Sequence, residues 1–226
     1  MRILFCNIAW MEYYKGIIPG TDRPRGGGSY VKKTGDAVEK YNFKPIYLNE
    51  DNGYPEGEYC LGYVETKSAN KKAGNQLSIE KIDGCELFKN ENEVKDVLVV
   101  YCALYPDALE KETYVVGWYK HATVYRYYKE LPINCGVEGK PYVQLYNAIA
   151  KKEDCVLLPR PARRKASLWR VPRKAGGVSY GFGQSNVWFA QGADENEYLK
   201  NFLERIARQV EEYYGENWVE LDVKSL

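Results

Sequence analysis

The stretch from Thr113 to Tyr128 reads TYVVGWYKHATVYRYY, a run dense in the β-branched and aromatic residues that favour strands. It contains two predicted strands, Thr113–Lys120 and Ala122–Tyr128, which meet at His121, the one histidine of the chain. We therefore predict one bent or bulged strand across the whole stretch.

Short apolar runs separated by turn residues fill most of the remaining chain, as is typical of a β-rich protein. The other predicted strands are Arg2–Ala9, Cys60–Glu65, Val97–Ala103, Cys155–Leu158, Leu168–Val171 and Ser179–Phe182. The segment Tyr142–Ala150 fits either a helix opened by Pro141 or an alternating strand. Two polar segments rich in Gly, Pro and Lys, Gly16–Gly35 and Lys67–Gly74, are predicted surface loops.

The carboxy-terminal segment has a helical pattern. Apolar residues recur at helical spacing at Tyr198, Phe202, Ile206 and Val210. Asp194 is a favourable N-cap and Gly215 stops the pattern, which predicts a helix at about 194–214. The predicted fold class is α+β, a β-barrel-like mixed sheet with flanking helices, in one domain that covers residues 1–226.

The cysteines and the hydropathy indicate a protein of the cytoplasm. The six cysteines are far apart and form no Cys-x-x-Cys pair, and several lie within apolar runs. This pattern predicts buried free thiols in a reducing compartment. No apolar run approaches the roughly 18 residues that cross a bilayer, so we expect no membrane partner.

The sequence offers few catalytic motifs. A single histidine excludes Ser-His-Asp hydrolases, multi-histidine metal sites and HNH-type nucleases. Gly26–Ser29 lacks the Gly-Lys-Ser/Thr of a P-loop, and Gly181–Gly183 lacks the third glycine of a dinucleotide-binding turn. We predict no catalytic residue, no metal and no other cofactor, and a non-catalytic recognition domain is favoured over an enzyme.

Six stretches resemble a bacterial family found alone, or as an amino-terminal module fused to nuclease or helicase parts, in restriction-type defence proteins. They are Met1–Trp10, Gly27–Val31, Gly62–Glu65, Val116–Lys120, Ala122–Arg126 and Gly181–Trp188. The resemblance implies a role in restriction-modification and antiviral defence, with the cutting part elsewhere. A fold-level analogy extends to the PUA-like barrels, including the EVE, YTH and SRA readers of modified or flipped bases.

Aromatic and amide side chains cluster at the end of the first strand, along the bent strand and after Gly181–Gly183. A flipped base needs flat apolar walls and a few fixed amides or hydroxyls. The predicted base pocket consists of Asn7, Trp10, Tyr30, Trp118, Tyr119, Tyr125, Gln184, Ser185, Asn186 and Trp188. The alternative is that the tryptophans belong to the core and that Asn186 caps a turn.

The net charge is only +1, so the placement of charge matters more than its sum. The segment Arg160–Lys174 holds seven basic residues and no acidic one. The predicted phosphate ligands are Arg23, Arg25, Arg160, Arg163, Arg164, Lys165, Arg170 and Arg173.

The predicted function is a DNA-binding reader that recognises a modified or flipped base, with DNA as its partner. One alternative is a magnesium-dependent nuclease using Asp83, Glu93 and Lys95, whose spacing faintly matches the Asp and Glu-x-Lys pattern of such enzymes. Another is a protein-interaction module that docks a nuclease or a helicase.

Overall fold

The computed structural model describes residues 1–66, 76–109, 111–133, 141–174 and 178–222. The strands are β1 (Ile3–Ile8), β2 (Ile46–Leu48), β3 (Gly57–Gly62), β4 (Glu93–Leu104), β5 (Thr113–Ile133), β6 (Tyr142–Lys151), β7 (Cys155–Leu157), β8 (Arg170–Val171) and β9 (Val187–Trp188). The α-helices are α1 (Gly28–Thr34), α2 (Arg160–Arg163), α3 (Ala166–Trp169) and α4 (Glu197–Glu211). These elements confirm the predicted α+β class.

The strands form one mixed sheet in the order β2-β3-β6-β5-β4-β1-β9, with β7 and β8 also paired to β5. β1 and β4 are parallel, and the other pairs are antiparallel. The described strands form an open path from β2 to β9, so the barrel-like part of the prediction is not confirmed. The sheet nevertheless curls enough that the Asn186 side-chain amide, next to β9, donates to Glu65 Oε2, beyond β3, at 3.3 Å. This curl brings the ends of β1, β3 and β9 around one cleft.

β5 confirms the bent strand that the sequence predicted. His121 interrupts its extended backbone with a φ of 49°. On the opposing strand β4, Asp96 has a φ of 58°, and its Oδ1 lies 2.8 Å from His121 Nδ1. The pairing register shifts around these residues, as in a β-bulge. The edge of β5 that faces away from β4 can therefore pair in turn with β8, β7 and β6.

The cysteines of the described residues are free and buried, as predicted: Cys6, Cys60, Cys85, Cys102 and Cys155. Cys135 lies outside those residues. Burial raises the pKa of the Cys6 and Cys102 thiols, because ionisation in an apolar interior is costly. These thiols therefore serve as small packing groups.

The carboxy-terminal helix α4 is confirmed but shorter than predicted. Asn196, not Asp194, is its N-cap, since the Asn196 side chain accepts a hydrogen bond from the Leu199 amide at 3.1 Å. The buried face is also shifted: Leu199 takes the place expected for Tyr198, which is 79 % exposed. Leu199 precedes Phe202 by three residues, so both lie on one side of the helix. No helix of the described residues, α4 included, is long and apolar enough to span a bilayer.

The remaining predictions of secondary structure had mixed outcomes. The ambiguous segment Tyr142–Ala150 is a strand, and the strand prediction at Leu168–Val171 is wrong for its first two residues, which end α3. Ser179–Phe182 is a bend with a single bridge to Arg173 and not a strand. The predicted loop Gly16–Gly35 contains the whole of α1, and the predicted loop Lys67–Gly74 lies outside the described residues.

Candidate functional site

The indole of Trp118 lies in the core and not in a pocket. It is 0 % exposed and stacks on Trp169 of α3, with ring centroids 5.4 Å apart. Tyr213, just beyond α4, packs edge-on against it at 5.3 Å. The neighbouring Tyr119 is also buried and donates its hydroxyl to the backbone carbonyl of Asn42. The predicted base pocket is therefore wrong at Trp118 and Tyr119, because both rings fill the interior.

The other two indoles of the predicted pocket are packed as well. Trp10 is 1 % exposed, and the Arg163 guanidinium lies 5.5 Å from its ring centroid. Trp188 is half-buried and stacks on Phe5 at 4.7 Å, with Phe202 of α4 at 5.8 Å. Both indoles are used in packing, so the prediction that they enclose a base is wrong too.

Tyr125, Gln184 and Ser185 are not part of a shared pocket. The Tyr125 hydroxyl lies 3.2 Å from that of Tyr54, which is 2.7 Å from that of Tyr146, in a separate cleft of about 1020 Å³. Gln184 and Ser185 are exposed, and the Ser185 hydroxyl accepts a hydrogen bond from the amide two residues later. The structure therefore places Tyr125 in a different cleft from Gln184 and Ser185, so the three residues cannot contact one base together.

Three of the predicted pocket residues, Asn7, Tyr30 and Asn186, do meet in one cleft of about 680 Å³, here called the glycine cleft. The backbone N–H of Asn7 donates to the backbone carbonyl of Asn186 at 2.7 Å, which holds the two residues side by side. Tyr30 is 52 % exposed on α1, and the loop Gly26–Gly28 forms part of the wall. Apolar surface comes from Ile8, Ala9, Val31 and Val38.

Two carboxylates and a phenol also line the glycine cleft. Glu39 Oε1 accepts a hydrogen bond from the Ala9 amide at 2.8 Å, and Glu65 accepts from the Asn186 side chain. Burial raises the pKa of the Glu39 carboxyl, and the nearby Glu65 raises it further. Burial also raises the pKa of Tyr63, so its hydroxyl stays protonated. No Lys or Arg of the described residues lines this cleft, so its charged side chains are the two carboxylates.

Arg23, Arg25 and Arg160 line a second cleft of about 480 Å³, here called the arginine cleft. Arg23 is exposed and has no ion pair among the described residues. Arg25 makes two hydrogen bonds to the Asp107 carboxylate, at 2.8 and 3.2 Å, and Arg160 lies 3.8 Å from Glu12. The fold thus brings together three predicted phosphate ligands that are far apart in the sequence.

The glycine cleft and the arginine cleft are neighbours. Trp10 and Arg25 exchange two backbone hydrogen bonds, with N–O distances of 2.8 and 2.9 Å. The residues next to this bridge, Ala9 and Gly26, line the glycine cleft, whereas Trp10 and Arg25 themselves line the arginine cleft. The glycine cleft, whose charged side chains are carboxylates, and the arginine cleft, which holds three arginines together with Glu12 and Asp22, therefore share the bridge as a common wall.

Arg163 is a structural residue and not the phosphate ligand that the sequence predicted. It is 0 % exposed, and its guanidinium donates to the carbonyls of Leu158 and Met11 at 2.7 Å each and to that of Glu12. Burial lowers its pKa, although Tyr14 and Glu12 oppose this effect. The three bonds fix the chain after β1, which carries one side of the arginine cleft.

The other predicted phosphate ligands are spread over the surface. Arg164 and Lys165 are exposed, and Arg170 lies 3.3 Å from Glu112. Arg173 is half-buried, and it lines a third cleft of about 710 Å³ together with Arg170. The basic segment is therefore divided between separate clefts, with Arg160 alone in the arginine cleft.

The residues of the alternative nuclease site are not assembled. Asp83 pairs with the amino terminus at 3.0 Å, whereas Glu93 pairs with Lys95 at 3.6 Å, and both of these line the cleft of about 1020 Å³ that contains Tyr54 and Tyr125. Across the described ranges, no three His, Cys, Asp or Glu side chains come close enough to hold a metal ion. The faint spacing of these residues is thus a coincidence of a highly charged sequence.

Sequence reasoning missed the residues that give the glycine cleft its charge. Glu39 lies in a short 3-10 turn, Val38–Tyr41, and Glu65 follows β3, so neither belongs to a recognisable motif. Their proximity depends on the curl of the sheet. Only Glu65 had a signal, since it ends one of the stretches that carry the family resemblance.

The comparisons with known proteins add no relative. No protein-family model, no curated protein and no solved structure matches this chain.

Proposed function

We propose that this protein binds DNA and holds one nucleotide across the two neighbouring clefts, with the base in the glycine cleft and the adjoining phosphates in the arginine cleft. A nucleotide joins a neutral base, rich in hydrogen-bonding groups, to an anionic phosphate. The observation that carries the proposal is the matching pair of environments, acidic and basic, on either side of the Trp10–Arg25 bridge.

The glycine cleft suits a base in size and lining. Its volume of about 680 Å³ falls within the range of small-ligand sites, about 300–1000 Å³. Tyr30 and Tyr63 provide phenol rings, and Asn7 and Asn186 provide amides for the polar edge of a base. Stacking contributes on the order of 1–3 kcal/mol per base, which offsets an unstacking cost of a few kcal/mol.

The charges also decide which cleft takes the phosphate. The glycine-rich loop by itself would suit an anion, but Glu39 and Glu65 face the same cleft and repel one. The arginine cleft also contains Glu12 and Asp22, but Glu12 lies beside Arg160 and Asp22 accepts hydrogen bonds from the backbone amides of Glu12 and Tyr13. Arg23 in this cleft carries a charge that no described acidic residue pairs. We therefore place the DNA backbone on the arginine side.

The wider setting follows from the family resemblance and belongs to the same proposal. In a restriction-type defence system of the cytoplasm, this protein would supply base recognition, and a nuclease or helicase part would act on the DNA. The analogy with PUA-like readers of modified or flipped bases is consistent with a curled sheet that has a cleft at its mouth. The recognition role needs no chemistry from the cleft residues.

Fluorescence anisotropy with labelled plain and base-modified DNA tests the proposal. We expect Arg23→Ala to weaken binding to all sequences and to reduce the slope of log affinity against log salt by about 1. The matched control is Arg208→Ala, on the exposed side of α4, which should leave affinity and slope unchanged. Equal behaviour of the two variants, or equal and weak binding to every DNA tested, would contradict the proposal.

A further inference from the structure

The charged side chains that line the glycine cleft are all acidic. Glu39 and Glu65 are carboxylates, which only accept hydrogen bonds when ionised. Each already accepts one bond, from the Ala9 backbone amide and from the Asn186 side chain, and each has lone pairs left over. These carboxylates therefore offer acceptor positions to a donor on the ligand.

A second observation comes from Asn7 at the base of the same cleft. Its Oδ1 is buried and accepts no hydrogen bond from the described residues. A buried acceptor without a donor is costly, on the order of 1–3 kcal/mol, and such groups are often retained where a ligand supplies the partner.

We infer that the glycine cleft selects a nucleobase whose edge carries an exocyclic amino group, in preference to bases with only oxo groups there. The inference rests on the proposed function, since it names the kind of base that this cleft holds. Amino groups of cytosine, adenine and guanine donate to carboxylates such as Glu65, whereas the oxo groups of thymine, uracil and hypoxanthine present lone pairs that the carboxylates repel. N-methylation of an amino group leaves one N–H, so such modified bases stay within the class.

Neighbouring groups leave these carboxylates without a charged partner. The Tyr63 hydroxyl stays protonated but already shares a hydrogen bond with Tyr128, so it does not offset the acceptors of the cleft. Lys40, next to Glu39 in the chain, is held by Asp36 at 2.8 Å. Among the described residues, no Lys or Arg lines the cleft to neutralise Glu39 and Glu65.

The test uses single-stranded thymidine oligonucleotides in which the central base alone is varied. Guanine is compared with hypoxanthine, a pair that differs only in the 2-amino group. Cytosine is compared with uracil and adenine with hypoxanthine, pairs in which an oxo group and a ring N–H replace the amino group and a ring nitrogen acceptor. We expect each amino-bearing base to bind on the order of tenfold more tightly than its partner. Glu65→Gln should reduce this ratio, because an amide can donate to an oxo group, while the matched control Glu212→Gln at the end of α4 should preserve it.

The outcomes separate the two proposals. Binding of all oligonucleotides with no difference within the pairs would overturn the inference about amino groups and leave DNA binding intact. A preference for the oxo bases would overturn it as well. Failure of every oligonucleotide to bind, with the variants folded as judged by circular dichroism, would overturn the proposed function itself.

Discussion

The glycine cleft and the packed rings of Trp118, Trp169 and Tyr213 are opposite environments for polar and aromatic side chains. Around Trp118, large rings stack on one another beneath α3 and the end of α4, and the site is closed. In the glycine cleft, short amides and carboxylates at strand ends leave space open. Large aromatic residues bury so much apolar area that the interior tends to claim them first. An open site is therefore better sought among small polar groups where strands end.

Trp118→Ala gives the largest expected effect and tests the closed half of this comparison. Loss of a fully buried indole leaves a cavity, so we expect the free energy of unfolding to fall by about 3–5 kcal/mol. Chemical denaturation measures the change. DNA affinity per folded molecule should stay the same, and selective loss of binding without loss of stability would show that the ring contacts the ligand.

Arg163→Lys should have the next largest effect on stability, and it tests the part of the comparison that concerns the open clefts. A lysine ammonium cannot reach three carbonyls with the fixed geometry of a guanidinium, so we expect a loss of about 2–4 kcal/mol in denaturant unfolding. Affinity should fall as well, because these bonds position the wall of the arginine cleft. Arg164→Lys, at the exposed neighbour, is the control and should be nearly neutral. An equally mild effect of Arg163→Lys would contradict its structural role.

Gly27→Ala should have an intermediate effect on stability and a clear one on binding. A Cβ at this position would lie 2.4 Å from Val31 Cγ2 and 2.7 Å from Ala9 Cβ, so the glycine loop must move away from β1. We expect a cost of about 1–3 kcal/mol in denaturant unfolding and weaker binding by anisotropy. Gly183→Ala, where a Cβ meets no atom within 4 Å, is the matched control. Unchanged affinity in Gly27→Ala would separate this loop from the ligand.

Glu39→Gln should have the smallest effect and a sign opposite to the others. Because burial raises the pKa of Glu39 in the folded protein, the folded state binds its proton more tightly than the unfolded state does. Its ionisation therefore lowers stability as the pH rises from the ordinary pKa of Glu through the raised one. The variant should be slightly more stable than the parent at neutral pH, and this gain should vanish as the pH falls below the ordinary pKa. Thermal melts across pH measure it, and lower stability of the variant at neutral pH would contradict the account.

Features that depend on neighbouring residues in the sequence could be predicted better than features that depend on contacts between distant segments. The bend at His121 could be predicted because the strand pattern breaks at that residue. The burial of Leu199 instead of Tyr198 could not be predicted, since both residues fit a helical spacing and only packing on the sheet decides which one is buried. Asn7, Tyr30 and Asn186 line one cleft, whereas the other seven residues of the predicted pocket lie elsewhere. Which aromatic residues are closed off depends on tertiary contacts, which a single sequence does not display.

The arginines illustrate the same limit. Arg160 and Arg163 are three residues apart in one basic segment, and composition treats them alike. In the structure one lines the arginine cleft and the other is enclosed by backbone carbonyls. A charge cluster in a sequence therefore predicts that a basic surface exists, and the fold decides which members belong to it.

The most direct test of the central claim is a nuclear magnetic resonance titration of the labelled protein with a short single-stranded DNA that contains cytosine. The account predicts shifts in the backbone amides of Gly26–Gly28, the side-chain amides of Asn7 and Asn186 and the guanidinium of Arg23, with the Trp118 indole unchanged. Shifts confined to another surface, such as the cleft around Tyr54 and Tyr125, would contradict it.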